Sequence, residues 1–330
     1  MDTLTHALSG ALLARATAPK DAPPRSIPRR VAAGFLACAA PDLDFVVGYA
    51  GPVAYLEQHR GVTHSLILLP LWALLLSWLL AKILREPRGW RALYGVAALA
   101  LGAHIAGDVI TSFGTIVFAP FSDWRAGIGT TFIIDLWFSG IILAGLVASA
   151  LFYRSKLPAM VASLVLAGYV GFQYVQRQQA LDFAARHAWP GARIDAHPRP
   201  VSPFNWTVFV SDDEKHVFAH INLRRTEARR YAPGDGFIAR IDSPYMPVNQ
   251  AIWVRRTRYG EVEQQRVKEA WNSPALGVYR WFAAQPAFDG SDARCVWFVD
   301  LRFLTPGRES MPFRYGACGS AGDWRLQPPA

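Results

Sequence analysis

Residues 65–81 read SLILLPLWALLLSWLLA, a run without a single charge that is followed by Lys82, Arg85, Arg88 and Arg91. Crossing the hydrocarbon core of a bilayer takes about 20 apolar residues, so this run predicts a membrane span. Working outward from it, four further stretches carry the same signal. Residues 92–118 are apolar apart from His104 and Asp108, residues 131–153 hold Asp135 near their start, and residues 158–175 are uncharged. Residues 31–50 are apolar but interrupted by Pro41, Asp42 and Asp44. The opening stretch, 3–16, is shorter and amphipathic and is expected to enter the bilayer only partway. Asp2 stands where a secretory signal would be basic, and His6 falls inside the apolar stretch, so this segment is read as part of the mature fold.

The chain of 330 residues is 52% hydrophobic, and the hydrophobicity is concentrated before residue 177. The predicted fold class is therefore an all-α multi-pass membrane bundle over 1–176, followed by a small α+β extramembrane domain over 177–330. The net charge of +9 raises nucleic acid as a partner, but the basic residues sit largely in short loops between apolar runs and no nucleic-acid motif accompanies them. No nucleic-acid partner is expected. Arg15, Lys20, Arg25, Arg29, Arg30, Lys82, Arg85, Arg88, Arg91, Arg154 and Lys156 flank one side of the spans, against only Arg60 and Arg125 on the other. Such a bias places the first set in the cytoplasm. The loops 51–64 and 118–130, and everything after the last span, are then expected outside.

Six polar side chains lie in or beside the apolar segments: His6, Asp42, Asp44, His104, Asp108 and Asp135. An aspartate at a helix centre costs about 2.5–3.5 kcal/mol on insertion scales, so four unpaired ones would threaten the fold. The spans contain no Lys or Arg to pair with them, which leaves protonation, water or a bound cation. With His59 and His64 from the outer loop, all eight positions fall at similar, outward depth. His104 and Asp108 are four apart on one helix face, a usable two-ligand arrangement. Pro41 breaks its helix and frees Asp42 and Asp44 to turn toward a cation. Each piece alone has an ordinary structural reading, such as a helix-face hydrogen bond or a turn. Together they point to a metal site.

Met1-Asp2-Thr3-Leu4-Thr5-His6, the PDLD of 41–44, the HRGVTHS of 59–65 and the HIAGD of 104–108 resemble the YdjM-like family of inner-membrane metal-dependent hydrolases. The resemblance covers roughly residues 1–175. It implies a distant similarity to zinc-dependent phospholipase C and P1-type nucleases, and hence hydrolysis of a phosphoester in a lipid or lipid-linked substrate. On this reading His6, His59, His64, His104 and Asp108 are ligands, and Asp42 or Asp44 bridges metals or binds the attacking water. Asp44 serves as general base, and Asp135 orients a ligand or completes the outer shell. Imidazoles with carboxylates favour zinc, with manganese or iron as alternatives. The rival readings are an ion or metal transporter, which no internal repeat supports, and a metal that only staples the structure.

In the C-terminal part, residues 205–211, 216–223, 250–257 and 295–303 have strand composition, and 261–285 read as a helix broken near Asn272-Ser273-Pro274. Trp206, Trp253 and Trp297 are expected in the core. His216 and His220 are expected at the surface. Cys38 reads as a packing residue, whereas Cys295 and Cys318 can pair if their domain faces an oxidising compartment.

Overall fold

The computed structural model describes residues 1–328 apart from 21, 233, 309–310 and 321. Its contacts divide it into two units, one of residues 1–47 with 58–174 and one of residues 48–57 with 175–330.

The first unit is helical. Its elements are α1 (Thr3–Ala16), α2 (Ser26–Ala39) running on into a 3-10 stretch (Ala40–Ala50), α4 (Leu69–Ile83), α5 (Arg91–Val109), α6 (Leu136–Leu151) and the start of α7 (Leu157–Ala185). Between them lie α3 (Pro52–Gln58), which groups with the second unit, and a short 3-10 turn (Val62–His64). Among the described residues three helices are long and apolar enough to cross a membrane: Ser26–Ala50, Arg91–Val109 and Leu157–Ala185.

The 92–118 run is helical only to Val109, and two other expected spans fall below spanning length. The 65–81 run is not one span by itself. Ser65 turns its hydroxyl onto the backbone N–H groups of Ile67 and Leu68, and Pro70 opens the helix, so α4 is only 15 residues long. It reaches spanning length only when joined to Pro52–His64 across a bend of 79°. The 131–153 run likewise yields the 16-residue α6, because Asp135 caps it by accepting from the N–H groups of Trp137 and Phe138. At 1.5 Å per residue it covers about 24 Å, less than the roughly 30 Å of a hydrocarbon core.

The packing is inverted relative to a water-soluble bundle. In α4 the inward residues are Ala73, Ser77, Leu80 and Ala81, while Leu71, Leu75, Trp78 and Ile83 are exposed. In α7 Leu164 is 71% exposed. Small residues let helices approach closely where lipid removes the hydrophobic drive between them. The closest approach joins α1 to α2: a methyl added to Gly34 would stand 2.6 Å from the Ala14 Cβ, and one on Gly10 would overlap the Gly34 carbonyl. Around this crossing α1 packs on α2, α5 and α6, which makes a 14-residue helix the hub of the unit.

The second unit holds two sheets. In the first, β1 (Arg193–Pro198), β2 (Asn205–Ser211), β3 (Lys215–Asn222) and β5 (Trp253–Thr257) are antiparallel, and the two-residue β4 (Met246–Pro247) runs parallel to β3. In the second, β6 (Pro286–Ser291), β7 (Cys295–Asp300), β8 (Arg314–Ser320) and β9 (Asp323–Gln327) form an antiparallel meander. The helices α8 (Phe237–Asp242), α9 (Gln264–Asn272) and α10 (Gly277–Phe282) complete it, with the expected break between the last two at Ser273-Pro274.

Next to their tight turns β2-β3-β5 and β6-β7-β8 pair alike, until a bulge between Phe288 and Gly290 shifts β6 on β7. Ser211 faces His216 as Ser291 faces Val296, and Lys215 faces Thr257 as Cys295 faces Cys318. Both hairpins turn on an aspartate: Asp212 accepts from the N–H groups of Glu214 and Lys215, and Asp292 from those of Arg294 and Cys295. Cys295 and Cys318 form a disulfide, while Cys38 is free and buried.

Trp206 is fully buried as expected, whereas Trp253 and Trp297 are only half-buried. His216 departs from its expected surface position. It is buried, and its Nε2 donates to the Pro286 carbonyl at 2.7 Å, tying the two sheets together. Burial holds the His216 imidazole below its ordinary pKa, and burial followed by the charge of Arg199 pulls His220 down to about 3.

Two outcomes follow from this packing. Gly34→Leu forces α1 from α2 and is expected to cost about 1–3 kcal/mol, read as a lower unfolding temperature in detergent. Histidines kept neutral when folded take up protons on unfolding below their free pKa of about 6.5. Stability of the second unit is therefore present above about pH 6.5 and declines as pH falls toward the depressed folded values. The slope of unfolding temperature against pH between 6.5 and 4 should flatten in His220→Asn.

Candidate metal centre

Four segments deliver the polar residues. Asp2 caps α1, taking the Thr5 N–H at 3.0 Å and its hydroxyl at 2.6 Å, and this fixes His6 one residue further on. The His6 ring lies on the His104 ring with centroids 3.8 Å apart. On α5, Asp108 sits one turn beyond His104 and about 25 Å along the axis from Arg91, so the cluster lies near the end of that helix remote from its basic start.

The Nδ1 of His104 contacts the Cys38 carbonyl at 2.6 Å. That carbonyl lies in the last turn of α2, which ends at Ala39 and leaves its final carbonyls without a following helical N–H. A carbonyl only accepts, so Nδ1 donates to it and Nε2 is the nitrogen turned to the cluster. His64 is set in the same sense. Its Nδ1 lies 2.9 Å from Thr63 Oγ1, which itself donates to Asp44 Oδ2 at 2.8 Å. The Nε2 atoms of His64 and His104 face each other at 2.9 Å.

Around that meeting point Asp108 Oδ2 stands 3.1 Å from His64 Nε2 and 3.5 Å from His104 Nε2. Asp42 Oδ1 stands 3.8 and 3.6 Å from the same two nitrogens. His6 Nε2 is 3.0 Å from Asp108 Oδ1. A tetrahedral ion with bonds of about 2.0–2.1 Å has ligand–ligand edges of about 3.3 Å, which these separations bracket. Ligand atoms of His6, Asp42, His104 and Asp108 all lie within 4.8 Å of one another, and the thiol of Cys38 groups in the same way with His6 and His104. All of these side chains are buried, and Asp42 Oδ2 and Asp108 Oδ2 have no hydrogen-bond donor. Imidazole nitrogens and carboxylate oxygens gathered this closely in a buried setting are a set that could hold a metal ion.

Asp44 and His59 form the layer behind this cluster. Asp44 Oδ1 pairs with His59 Nδ1 at 2.6 Å, and Oδ2 accepts from the Arg60 backbone N–H and the Thr63 hydroxyl, with His64 Nδ1 at 3.3 Å. Asp135, expected to complete the shell, is engaged instead at the start of α6 and by the Tyr169 hydroxyl at 2.9 Å.

One inference from sequence is overturned. The spans contain no cation to pair with their carboxylates, but Arg60 folds in from the loop and places Nη2 3.0 Å from Asp108 Oδ1. Its φ of +60° turns the chain inward at that point. The Met1 amine also bonds Asp108 Oδ1. Neither is visible in a count of charges within apolar runs, because both approach from outside them. The Arg60-Gly61 step between two histidines was the one available signal.

The family described as YdjM inner membrane protein matches residues 1–180. The chain belongs to that family. As the family description and the apolar helices agree, it is an inner-membrane protein. It is also 27% identical over 176 residues to the uncharacterized protein YfhP of Bacillus subtilis (strain 168), a match over 51% of this chain and 52% of the relative. The chain thus spans about half the length of that relative. No solved structure matches, and the expected likeness to phospholipase C and P1-type nucleases is not shown.

Elemental analysis of purified protein should find bound metal that His104→Ala and Asp108→Ala both remove. Asp44→Asn should keep the site but weaken it by about 10–100-fold, as loss of an orienting carboxylate does. Asp135→Asn should retain the metal and lose roughly 1 kcal/mol of stability or less, the scale of a helix cap.

Proposed function

We propose that this family member is a membrane-bound metal-dependent hydrolase that cleaves a phosphoester in a lipid or lipid-linked substrate at the outer face of the membrane. The observation that carries the reading is the meeting of His64 and His104 Nε2 at 2.9 Å, with Asp108 Oδ2 at 3.1 and 3.5 Å and Asp42 Oδ1 at 3.8 and 3.6 Å from them. Imidazole and carboxylate donors suit zinc best. Such an ion supplies Lewis acidity toward a phosphoryl oxygen and lowers the pKa of water to near 7.

The chain's own groups divide the remaining work. His6, Asp42, His104 and Asp108 would hold the ion, with His64 Nε2 beside them, and Arg60 offsets part of the charge on Asp108. Hydrolysis must take a proton from the attacking water and return one to the leaving oxygen. Asp44, the sequence's candidate for the first task, has its oxygens occupied by His59, Arg60 and Thr63. Asp42 keeps an oxygen without a donor and is better placed to accept that proton. His59, aligned by Asp44 and one layer out from the ion, is assigned to protonating the leaving group.

A lipid substrate fits the setting, since exposed apolar side chains surround the helices. The basic-residue bias supports an extracytoplasmic second unit, and so does its disulfide, because such bonds persist in oxidising compartments.

The test is turnover of phospholipid and phosphodiester substrates by the zinc-loaded protein. His59→Gln should retain zinc and lose about 10²–10⁴-fold in kcat, the usual share of a general acid. Stoichiometric zinc with no turnover on any phosphoester would assign the metal a stapling role instead. For the topology, thiol labelling of unfolded protein from the native host should count one free cysteine before reduction and three after.

A further inference from the structure

The loops 51–64 and 118–130 contain one basic residue each, Arg60 and Arg125, and the fold brings both to the same ring. The Arg60 Cζ stands 4.6 Å and the Arg125 Cζ 5.2 Å from the centroid of Phe113, and His59 meets that ring edge-on at 5.5 Å. Arg60 reaches from there to Asp108 of the metal cluster. Two guanidinium groups therefore flank one phenyl ring at the border of the cluster.

Arg125 is held there by built structure. Its Nη2 donates to the Gly114 carbonyl at 2.9 Å. Gly114 has a φ of +91°, and a Cβ on it would stand 3.1 Å from the Arg125 Cβ and 3.2 Å from its Nε, so the arginine occupies the space a side chain would fill. Next to it, Thr115 and Ala126 exchange both backbone hydrogen bonds at 2.8 Å, and the Ile128 N–H bonds the Val109 carbonyl at 2.7 Å. The loop is thereby zipped back onto the end of α5. Beside Arg125, Trp124 is exposed and stacks on Phe118 at 5.9 Å, the kind of aromatic pair that sits at headgroup level in a bilayer.

We infer that Arg60 and Arg125, set on Phe113, form a subsite for the phosphate group of the substrate, with Arg125 as its specificity-determining residue. The inference rests on the hydrolase reading and names the group that the site recognises. The chemistry is direct. The guanidinium is planar, keeps its charge at any physiological pH and offers paired N–H donors that match phosphate oxygens. Arg60, held to Asp108, fixes the inner boundary of the subsite, and Arg125, anchored on the Gly114 carbonyl, fixes the outer one and discriminates. Phosphate on a lipid headgroup and free phosphate present the same oxygens, and the placement beside Trp124 favours the lipid source.

Equilibrium dialysis of labelled inorganic phosphate against the zinc-loaded full chain in detergent tests this. Arg125→Gln should weaken binding about tenfold, and Arg125→Lys, which keeps the charge but not the fork, should fall between. The lysine variant also guards against a glutamine variant that does not fold. Short-chain phosphatidylglycerol should displace the phosphate from wild type. Failure to displace it would assign the subsite to free phosphate. Phosphate affinity within twofold of wild type in Arg125→Gln would overturn the proposal. Zinc content of the same samples reports separately on the hydrolase reading: protein that takes up no zinc overturns that reading, while an Arg125-dependent affinity in it still upholds the subsite.

Discussion

The carboxylate of Asp108 is the constraint around which the first unit is arranged. It is fully buried on an apolar helix, where a charge costs about 2.5–3.5 kcal/mol on insertion scales. Four elements converge to meet that cost. α1 brings His6 and the chain's first amine, the loop after α3 brings Arg60, the short 3-10 turn brings His64, and α5 itself contributes His104. Close packing of α1 on α2 follows from the same need. Without glycine at positions 10 and 34, α1 could not lie near enough for the His6 ring to stack on His104.

Much of this was legible in the sequence. Polar residues that a bilayer penalises stand out in apolar runs, and basic flanks order them by depth. That was enough to place His6, Asp42, Asp44, His59, His64, His104 and Asp108 near one another. What it did not resolve is the division into layers. Asp42 and Asp44 are two residues apart in a 3-10 stretch, and only the fold shows one facing the cluster while the other braces His59, Arg60 and Thr63. Asp135 carried the same signal as the others, yet its oxygens serve a helix start. A buried carboxylate within reach of backbone N–H groups is satisfied locally, and composition cannot tell that apart from a ligand.

Element lengths were the other weak point. Hydropathy counts apolar residues without asking which of them are helical. The 65–81 run spends its first residues on a cap formed by Ser65 and on the proline that opens α4. In the second unit β2 and the broken helix read correctly because alternation and Ser-Pro are local signals. The edge strand β9, rich in charge, and β8, with Gly316, Ala317, Gly319 and Ser320, gave none.

The contact between His104 and the Cys38 carbonyl has a consequence for how the centre can vary. The groups that aim metal-binding imidazoles are often carboxylates, which one base change can remove. Here the aiming group is main chain, so no exchange of side chain at position 38 deletes it. It is a carbonyl of the last turn of α2, where a helix runs out of N–H groups to bond its own backbone. The point at which α2 stops therefore sets the orientation of a remote imidazole, and a change that lengthened the helix would turn that ring without touching any residue that faces the centre.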